Sequence, residues 1–429
     1  MTGRKAVDVA IVGGGVIGIA SAVCLRDAGF SVLLIDRDEP GTGCSAGNAG
    51  VVATSFILPL SSVSHIMSAP RMLLDEMAPL SLPWRHVAAY TPWLGQFALN
   101  ALPGRRRRSI DALKRLNGDA LAAWKRLLGG SMASRFLIER GMLDIVASGV
   151  SLGGLRAGAA QLRAEGVPVD ILGPGEVFEL EPALGDRVAG AAFHSGVAQV
   201  TDPLLLSRAL LDRFVAGGGQ VARLNVEAVA IEADGVRVIA DGQSLRARNL
   251  LVAAGFWSPR FVAPFGLRAP LRAERGYHLM LPAMAGLLGR PVSFHAESFL
   301  ATPMEGGLRL AGTVELAPPD APADWRRADN LPALAARYFP GLDLNGQSRW
   351  VGSRPSFADS LPAIGAVRGA GQILYAFGHQ HLGLTQAAVT AEYVRDIIRG
   401  SMPHNIESFS LERFGVSRDA AGIMRERAA

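Results

Sequence analysis

With 429 residues, of which 49% are hydrophobic and 19% charged, the chain is long enough for two hydrophobic cores and too apolar to be a disordered or fibrous protein. Its 43 basic and 38 acidic side chains leave a net charge of +5, too small an excess at this length to point to nucleic acid. Cys24 and Cys44 are the only cysteines, too few for a disulfide framework or a thiolate metal site, so a reducing, cytoplasmic setting is the expectation.

The chain opens on MTGRK and an apolar stretch from Val9 to Leu25 with the outline of a signal peptide or membrane anchor. Gly13, Gly14, Gly15 and Gly18 interrupt it with turn chemistry, which argues against an anchor. Val7 to Val12 reads instead as a buried parallel strand and Val16 to Ala28 as a helix packed on a sheet. Between them, Gly13 permits a tight turn, Gly15 lets backbone approach a pyrophosphate, and Gly18 lets helix and strand pack closely. Amides at the helix N-terminus then face phosphate charge. A second strand, Ser31 to Ile35, ends on Asp36, whose carboxylate can accept a ribose hydroxyl. This strand–glycine turn–helix–strand–acid unit predicts a dinucleotide, and on these residues alone FAD and NAD both remain open.

The loop Gly43 to Gly50 is rich in small residues and hydrogen-bonding groups, suited either to a flavin ring lying against backbone or to an ordinary turn. Ser55 to Leu60 and Ile66 to Leu82 are unusually apolar for a connection, read as a pocket cover or as a surface for peripheral membrane contact. Arg105 to Arg108 precede a helical pattern through Ile110, Leu113, Leu116, Leu121, Trp124 and Leu128 and read as a solvated helix entrance, with an anionic lipid or acidic partner as the alternative.

Asp202 to Phe214 is helical in pattern, Gly217 to Gly219 stop it, and Gln220 to Leu224 resume as a strand. Val226 to Ile231 and Gly235 to Ile239 alternate as a hairpin joined at Asp234-Gly235, and Asn249 to Gly255 is a further buried strand ending on small residues. Arg272 to Met280 is a polar cluster leading into a strand, in which Tyr277 and His278 must face opposite sides. Near the C-terminus, Ile373 to Phe377 is a strand, Gly378 to Gly383 a loop and Leu384 to Ile398 a helix, whose N-terminus is suited to negative charge on a reduced flavin. His379 and His381 lie in that loop, where contact with substrate, tuning of a flavin and simple packing are all open; no third ligand cluster accompanies them, so no metal is expected.

Taken together, the glycine turn with Asp36, the Ser45 to Gly50 loop, Leu251 to Gly255, and Gly352-Ser353-Arg354-Pro355 running on to Gly378-His379 and Gly383-Leu384-Thr385 resemble the D-amino-acid oxidase superfamily of flavoproteins. Within it the chain looks most like bacterial D-amino-acid dehydrogenases, the D-hydroxyproline dehydrogenases among them. The resemblance implies an α/β fold, α+β overall, in which a Rossmann-type FAD-binding domain (1–82, 194–263 and 348–429) is interleaved with a substrate domain on a mixed or antiparallel sheet with helices (83–193 and 264–347). It implies FAD held by Gly13, Gly15, Val16, Ile17, Gly18, Asp36 and Arg37; by Ser45, Gly47, Asn48, Ala49 and Gly50; by Val226, Ala254 and Gly255; and by Gly378, Gly383, Leu384 and Thr385. It also implies an amino or imino acid as substrate, with Arg354 gripping its carboxylate and Tyr277 and His379 as further catalytic candidates.

A guanidinium fork suits the first of these roles, since it binds a carboxylate bidentately and stays charged in a dry pocket; a structural ion pair is the other reading of Arg354. Some relatives attach flavin through a C-terminal cysteine. None lies beyond Cys44 here, so the FAD is expected to be noncovalent. The expected reaction is transfer of the Cα hydrogen as hydride to flavin N5, leaving an imine or, after hydrolysis, a 2-oxo acid. A glycine- or sarcosine-type oxidase using oxygen and an NAD-dependent dehydrogenase are the alternatives. The electron acceptor (quinone, electron-transfer protein or oxygen) and the oligomeric state are left open.

Overall fold

The structure is a computed structural model that describes residues 6–74 and 79–415. Residues 1–5 of the opening segment and 75–78 of the apolar connection lie outside the described residues.

The first sheet has eight strands. Its parallel heart runs Gln220–Arg223, Val32–Asp36, Val7–Val12, Gln243–Val252 and Ala370–Phe377, with Val9 beside Val32, Ile11 beside Leu251 and Leu250 beside Ile373. These strands are apolar on both faces because helices cover one side and chain from later segments the other. Gln243–Val252 does double duty. Its first half closes the hairpin of Val226–Glu232 and Gly235–Ala240 by antiparallel pairing, and its second half enters the parallel core beside Val7–Val12. The alternating signal at Gln243 to Ala247 is short and polar on its outer face, so the expectation of a strand from Asn249 found only the buried half.

Helix Val16–Asp27 packs against helix Gly383–Ile398, and both bury their small and apolar residues in one core with Trp124, Leu116 and Phe214. The pattern through Ile110 to Leu128 forms two helical stretches, Pro103–Gly118 and Ala120–Phe136, because the turn at Gly118-Asp119 breaks the rod, and the second is kinked at Gly129, where φ is +70°. Trp124 Nε1 donates to the Leu384 carbonyl at 2.8 Å and Gln386 Nε2 to Asn117 Oδ1 at 2.9 Å, fixing the N-terminal turn of the last long helix. Arg105 to Arg108 sit inside the first turns of Pro103–Gly118, largely exposed, with Arg107 engaged by Asp111 and Glu165.

The second sheet has ten strands, mostly antiparallel. Arg272–Leu281 is its hub, pairing with Ser348–Ser356 on one side and with Gly307–Ala311 and Val314–Leu316 in succession on the other. A buried aromatic cluster of Phe294, Phe299, Tyr338 and Phe339 lies behind it. Leu80–Ser81 and Ser348–Ser356 both join this second sheet, because their pairing partners Val314–Leu316 and Arg272–Leu281 offer open edges there. A cavity of about 840 Å³ opens where the C-terminal ends of Val7–Val12 and Val32–Asp36 meet one face of the second sheet.

Candidate functional site

At the turn, Gly13 has φ of +112° and its amide donates to the Ile35 carbonyl at 2.9 Å. A Cβ on Gly18 would stand 1.9 Å from the Gly13 carbonyl oxygen, so this glycine is required for helix and strand to touch at all. Gly15 differs. A Cβ there would meet only Ser45 Oγ, at 3.4 Å, and would otherwise project into the cavity. The amide of Val16 donates to Ser45 Oγ at 2.9 Å, tying the helix N-terminus to the Gly43 to Gly50 loop. The Asp36 carboxylate accepts from the amides of Gly14 and Asp38 at the end of the second strand.

The cavity is one continuous space. Gly13, Gly15, Val16, Ile17, Asp36, Arg37, Ser45, Gly47, Asn48, Ala49, Val226, Ala254, Gly255, Gly378, Gly383, Leu384, Thr385, Arg354, Tyr277 and His379 all border it. Gly18 and Gly50 do not. The first lies under the turn, and the second, at φ of +73°, bends the loop where a Cβ would collide with Met304. Thr385 Oγ1 accepts from the Ala53 amide at 3.0 Å, so the last long helix begins against the strand that follows the loop. Phe56 from the apolar connection also lines the cavity, whereas Val63 and Met67 of the helix Val63–Leu74 are exposed. No helix among the described residues is long and apolar enough to cross a membrane.

The second sheet contributes the other wall. In register, Trp350 faces His278, Gly352 faces Gly276 and Arg354 faces Glu274. Gly276 leaves room for the Arg354 guanidinium, since a Cβ there would stand 2.1 Å from Nη2. The guanidinium crosses that glycine toward the Thr313 carbonyl, 3.4 Å away. Burial pushes the Glu274 carboxyl above its usual range, opposed by Arg354 and by a hydrogen bond with Ser356. Cys44 borders the cavity, and desolvation raises its thiol, with Arg354 acting against that shift.

Tyr277 and His379 both border the cavity, and the polar atoms of both side chains are engaged by other protein groups. Tyr277 borders the cavity, but strand alternation turns its side chain to the face opposite Arg354. Its hydroxyl donates to Glu315 at 2.7 Å and accepts from the Asp324 amide at 3.0 Å, with Arg275 completing the cluster against Glu315 at 3.3 Å. That anchors the 317–325 loop, whose Pro319 and Asp320 reach the cavity. Burial, and then the bond to Glu315, push the Tyr277 phenol up to about 12. The His379 imidazole is buried against the last long helix, Nε2 within 3.1 Å of Thr390 Oγ1, and burial holds it down at about 3. His381 is held at about 4 by burial and then by Arg354.

Several site residues carry no motif. Arg309 reaches across from Gly307–Ala311 to the carbonyls of Ala46 and Asn48, stapling the loop to the second sheet, and lies 3.8 Å from Asp202. Asp202 itself caps helix Pro203–Ala216, accepting from the amides of Leu204 and Leu205. Trp257, with the Arg37 guanidinium 4.1 Å above its ring, closes the cavity near Asp36. Pairing register brings Arg309 to the site, whereas Trp257 arrives there because it follows Gly255 at the end of Gln243–Val252.

The profile of the FAD-dependent oxidoreductases of the DAO family matches residues 8–397. The chain belongs to that family. It is an FAD-dependent oxidoreductase with the mixed α/β fold of the DAO type. The chain is similar to a D-amino-acid oxidase of Bradyrhizobium diazoefficiens, 29% identical over 422 residues covering 95% of this chain and 98% of that protein. It is also similar to a D-amino acid dehydrogenase of Rhizobium johnstonii, 27% identical over 95% of this chain and 100% of that protein. Among solved structures, glycine oxidase from Geobacillus kaustophilus superposes with a TM-score of 0.72 at 24% identity, covering 97% of this chain and 99% of that one. The residues of this DAO-family chain fit the cofactor. Bare backbone at Gly15 and Gly255 faces the cavity where a Cβ would meet little or nothing of the protein, and the helix N-termini at Val16 and Gly383 open on the same space.

Proposed function

We propose that this flavoenzyme oxidises the CH–NH bond of a small D-amino or imino acid, with Arg354 as the carboxylate anchor. The observation that carries this reading is the Arg354 guanidinium lying over Gly276 in the cavity into which the glycine turn also opens. A fixed guanidinium beside a flavin site selects a substrate that carries its oxidisable carbon next to a carboxylate. FAD, when bound, supplies the hydride acceptor. Loss of hydride from Cα of the neutral amine would leave an iminium ion that gives up its extra proton to water, and the imine hydrolyses to a 2-oxo acid and ammonia or, from a proline-like substrate, stays cyclic.

Protein groups position and polarise in this scheme. Arg354 holds the carboxylate, and the N-terminus of helix Gly383–Ile398 offers partial positive charge to the reduced cofactor. The neighbouring imidazoles of His379 and His381 are neutral at pH 7, so neither adds a competing cation. Tyr277 acts as a positioning residue for the 317–325 loop. With the amine reacting in its neutral form, the nitrogen lone pair drives hydride departure and no side-chain base is needed. The FAD is noncovalent, and the two curated relatives, one an oxidase and one a dehydrogenase, leave oxygen and a separate acceptor both in play.

A panel of D- and L-amino acids, glycine, D-proline and D-hydroxyproline, assayed with oxygen and with an artificial dye, tests the reading. Anaerobic bleaching of the absorption near 450 nm by a D-amino or D-imino acid is the expected result. Bleaching by uncharged amines alone would overturn it.

A further inference from the structure

On the cavity-facing side of the second sheet two paired positions, Gly276 and Gly352, carry no side chain. Gly352 and Gly276 are cross-strand partners, and such pairs stand about 4.5–5.5 Å apart between Cα atoms. The Arg354 guanidinium lies over Gly276, and the Trp350 indole leans along its own strand over Gly352, where a Cβ would stand 2.1 Å from Cη2. The indole is held from two more directions. His278 stacks on it with ring centroids 5.0 Å apart and planes 11° from parallel, and a Cβ on Gly47 would collide with its benzo edge at 2.2 Å. His278 in turn has Nδ1 3.2 Å from the Gly47 carbonyl oxygen.

Guanidinium and indole therefore stand side by side on adjacent glycines. A carboxylate gripped by Arg354 places the substrate Cα one bond further on, and its side chain then meets the indole edge. Resting on the amino-acid reading above, we propose that Trp350 is the specificity-determining wall of the substrate site. Its benzo edge limits the side chain to a small alkyl group or the compact ring of an imino acid, and excludes aromatic and long side chains. Ala311 and Leu300, in the same cross-strand row, continue this wall as apolar groups.

The test compares holoenzyme carrying Trp350, Trp350→Phe and Trp350→Ala. With D-alanine, D-proline and D-phenylalanine as substrates, the parent should favour the first two. The kcat/KM ratio of D-phenylalanine to D-alanine should rise about tenfold or more in Trp350→Ala and by a smaller factor in Trp350→Phe. Binding is read apart from turnover by titrating the flavin absorption with acetate and benzoate, and Trp350→Ala should tighten benzoate relative to acetate by a similar factor. Should Trp350→Ala lose FAD, Trp350→Phe carries both measurements, because it keeps a ring against His278. Ratios unchanged in FAD-loaded variants overturn the wall. If the parent oxidises no amino acid yet Trp350→Ala tightens benzoate relative to acetate, the substrate reading is overturned and the wall stands, whereas binding of neither carboxylate overturns both.

Discussion

Gly276→Ala isolates the placement of Arg354 from its charge. A Cβ at this position would stand 2.1 Å from Nη2, 2.4 Å from Cζ and 3.0 Å from Nε of Arg354. Non-bonded heavy atoms settle about 3.5–4.0 Å apart, so the guanidinium must retreat by about 1 Å or more. The colliding group is the far end of a long side chain held, among the described residues, only by a 3.4 Å contact to the Thr313 carbonyl, and alanine suits a strand better than glycine, so stability should change by less than about 1 kcal/mol. The fork itself cannot keep both of its bonds to a substrate carboxylate after such a shift. Losing one charge-assisted bond of about 1.5–3 kcal/mol predicts a fall in kcat/KM of roughly ten- to a hundredfold. The assay is dye reduction with D-alanine and with its neutral amide, alongside FAD content and thermal melting. The amide should lose little. An unchanged kcat/KM for D-alanine, or an equal loss for both substrates, would refute this account of the anchor.

Arg354→Ala should retain FAD yet lose about a hundredfold or more in kcat/KM for the carboxylate substrate, and Arg354→Lys should recover only part because it keeps the charge without the fork; equal losses for acid and amide would remove Arg354 from this role. Gly15→Val should fold and stay colourless, since its side chain invades the cavity, whereas Gly18→Val should fail to fold against the Gly13 carbonyl; expression, melting and flavin absorbance separate the two, and yellow Gly15→Val would sink the pyrophosphate placement. Acid or heat should release FAD without proteolysis, and flavin retained on the denatured chain would point to Cys44, His379 or His381 as an attachment site. His278 and His379, each held at about 3, and His381, at about 4, bind fewer protons folded than unfolded. Stability should therefore fall as the pH drops below about 6.5 and continue falling toward about 3. His379→Gln should flatten that slope between pH 7 and 4.5, and an unaltered slope would count against the buried, neutral imidazole.

The cofactor half was legible because its constraints are local. The turn from Gly13 to Gly18 and the acid at Asp36 lie within one βαβ unit, where each glycine answers a backbone need that short spacing reveals. The same holds for the Asp234-Gly235 hairpin, where Gly235 has φ of +145°, and for the loop before the last long helix, where Gly378 has φ of +82° and a Cβ would collide with Phe357. Arg354 stood out through the motif that carries the family resemblance, but nothing around it told that Gly276, 78 positions earlier, would leave the space its guanidinium fills.

The substrate wall was decided by tertiary structure. Alternation established that Tyr277 and His278 point to opposite faces, yet it cannot say which face meets the cavity. That depends on the pairing of Arg272–Leu281 with Ser348–Ser356, which puts His278 with Trp350 on the cofactor side and Tyr277 with Glu315 behind the sheet. Arg309 and Trp350 gave no local signal, because an arginine or tryptophan in a strand looks alike whether it faces solvent, core or ligand. The sequence by itself determined the nucleotide fold and its turn, through short-range backbone chemistry. Only the register of strands distant along the chain decided which side chains share the cavity, since a shift of one residue in that pairing exchanges the two faces of the sheet.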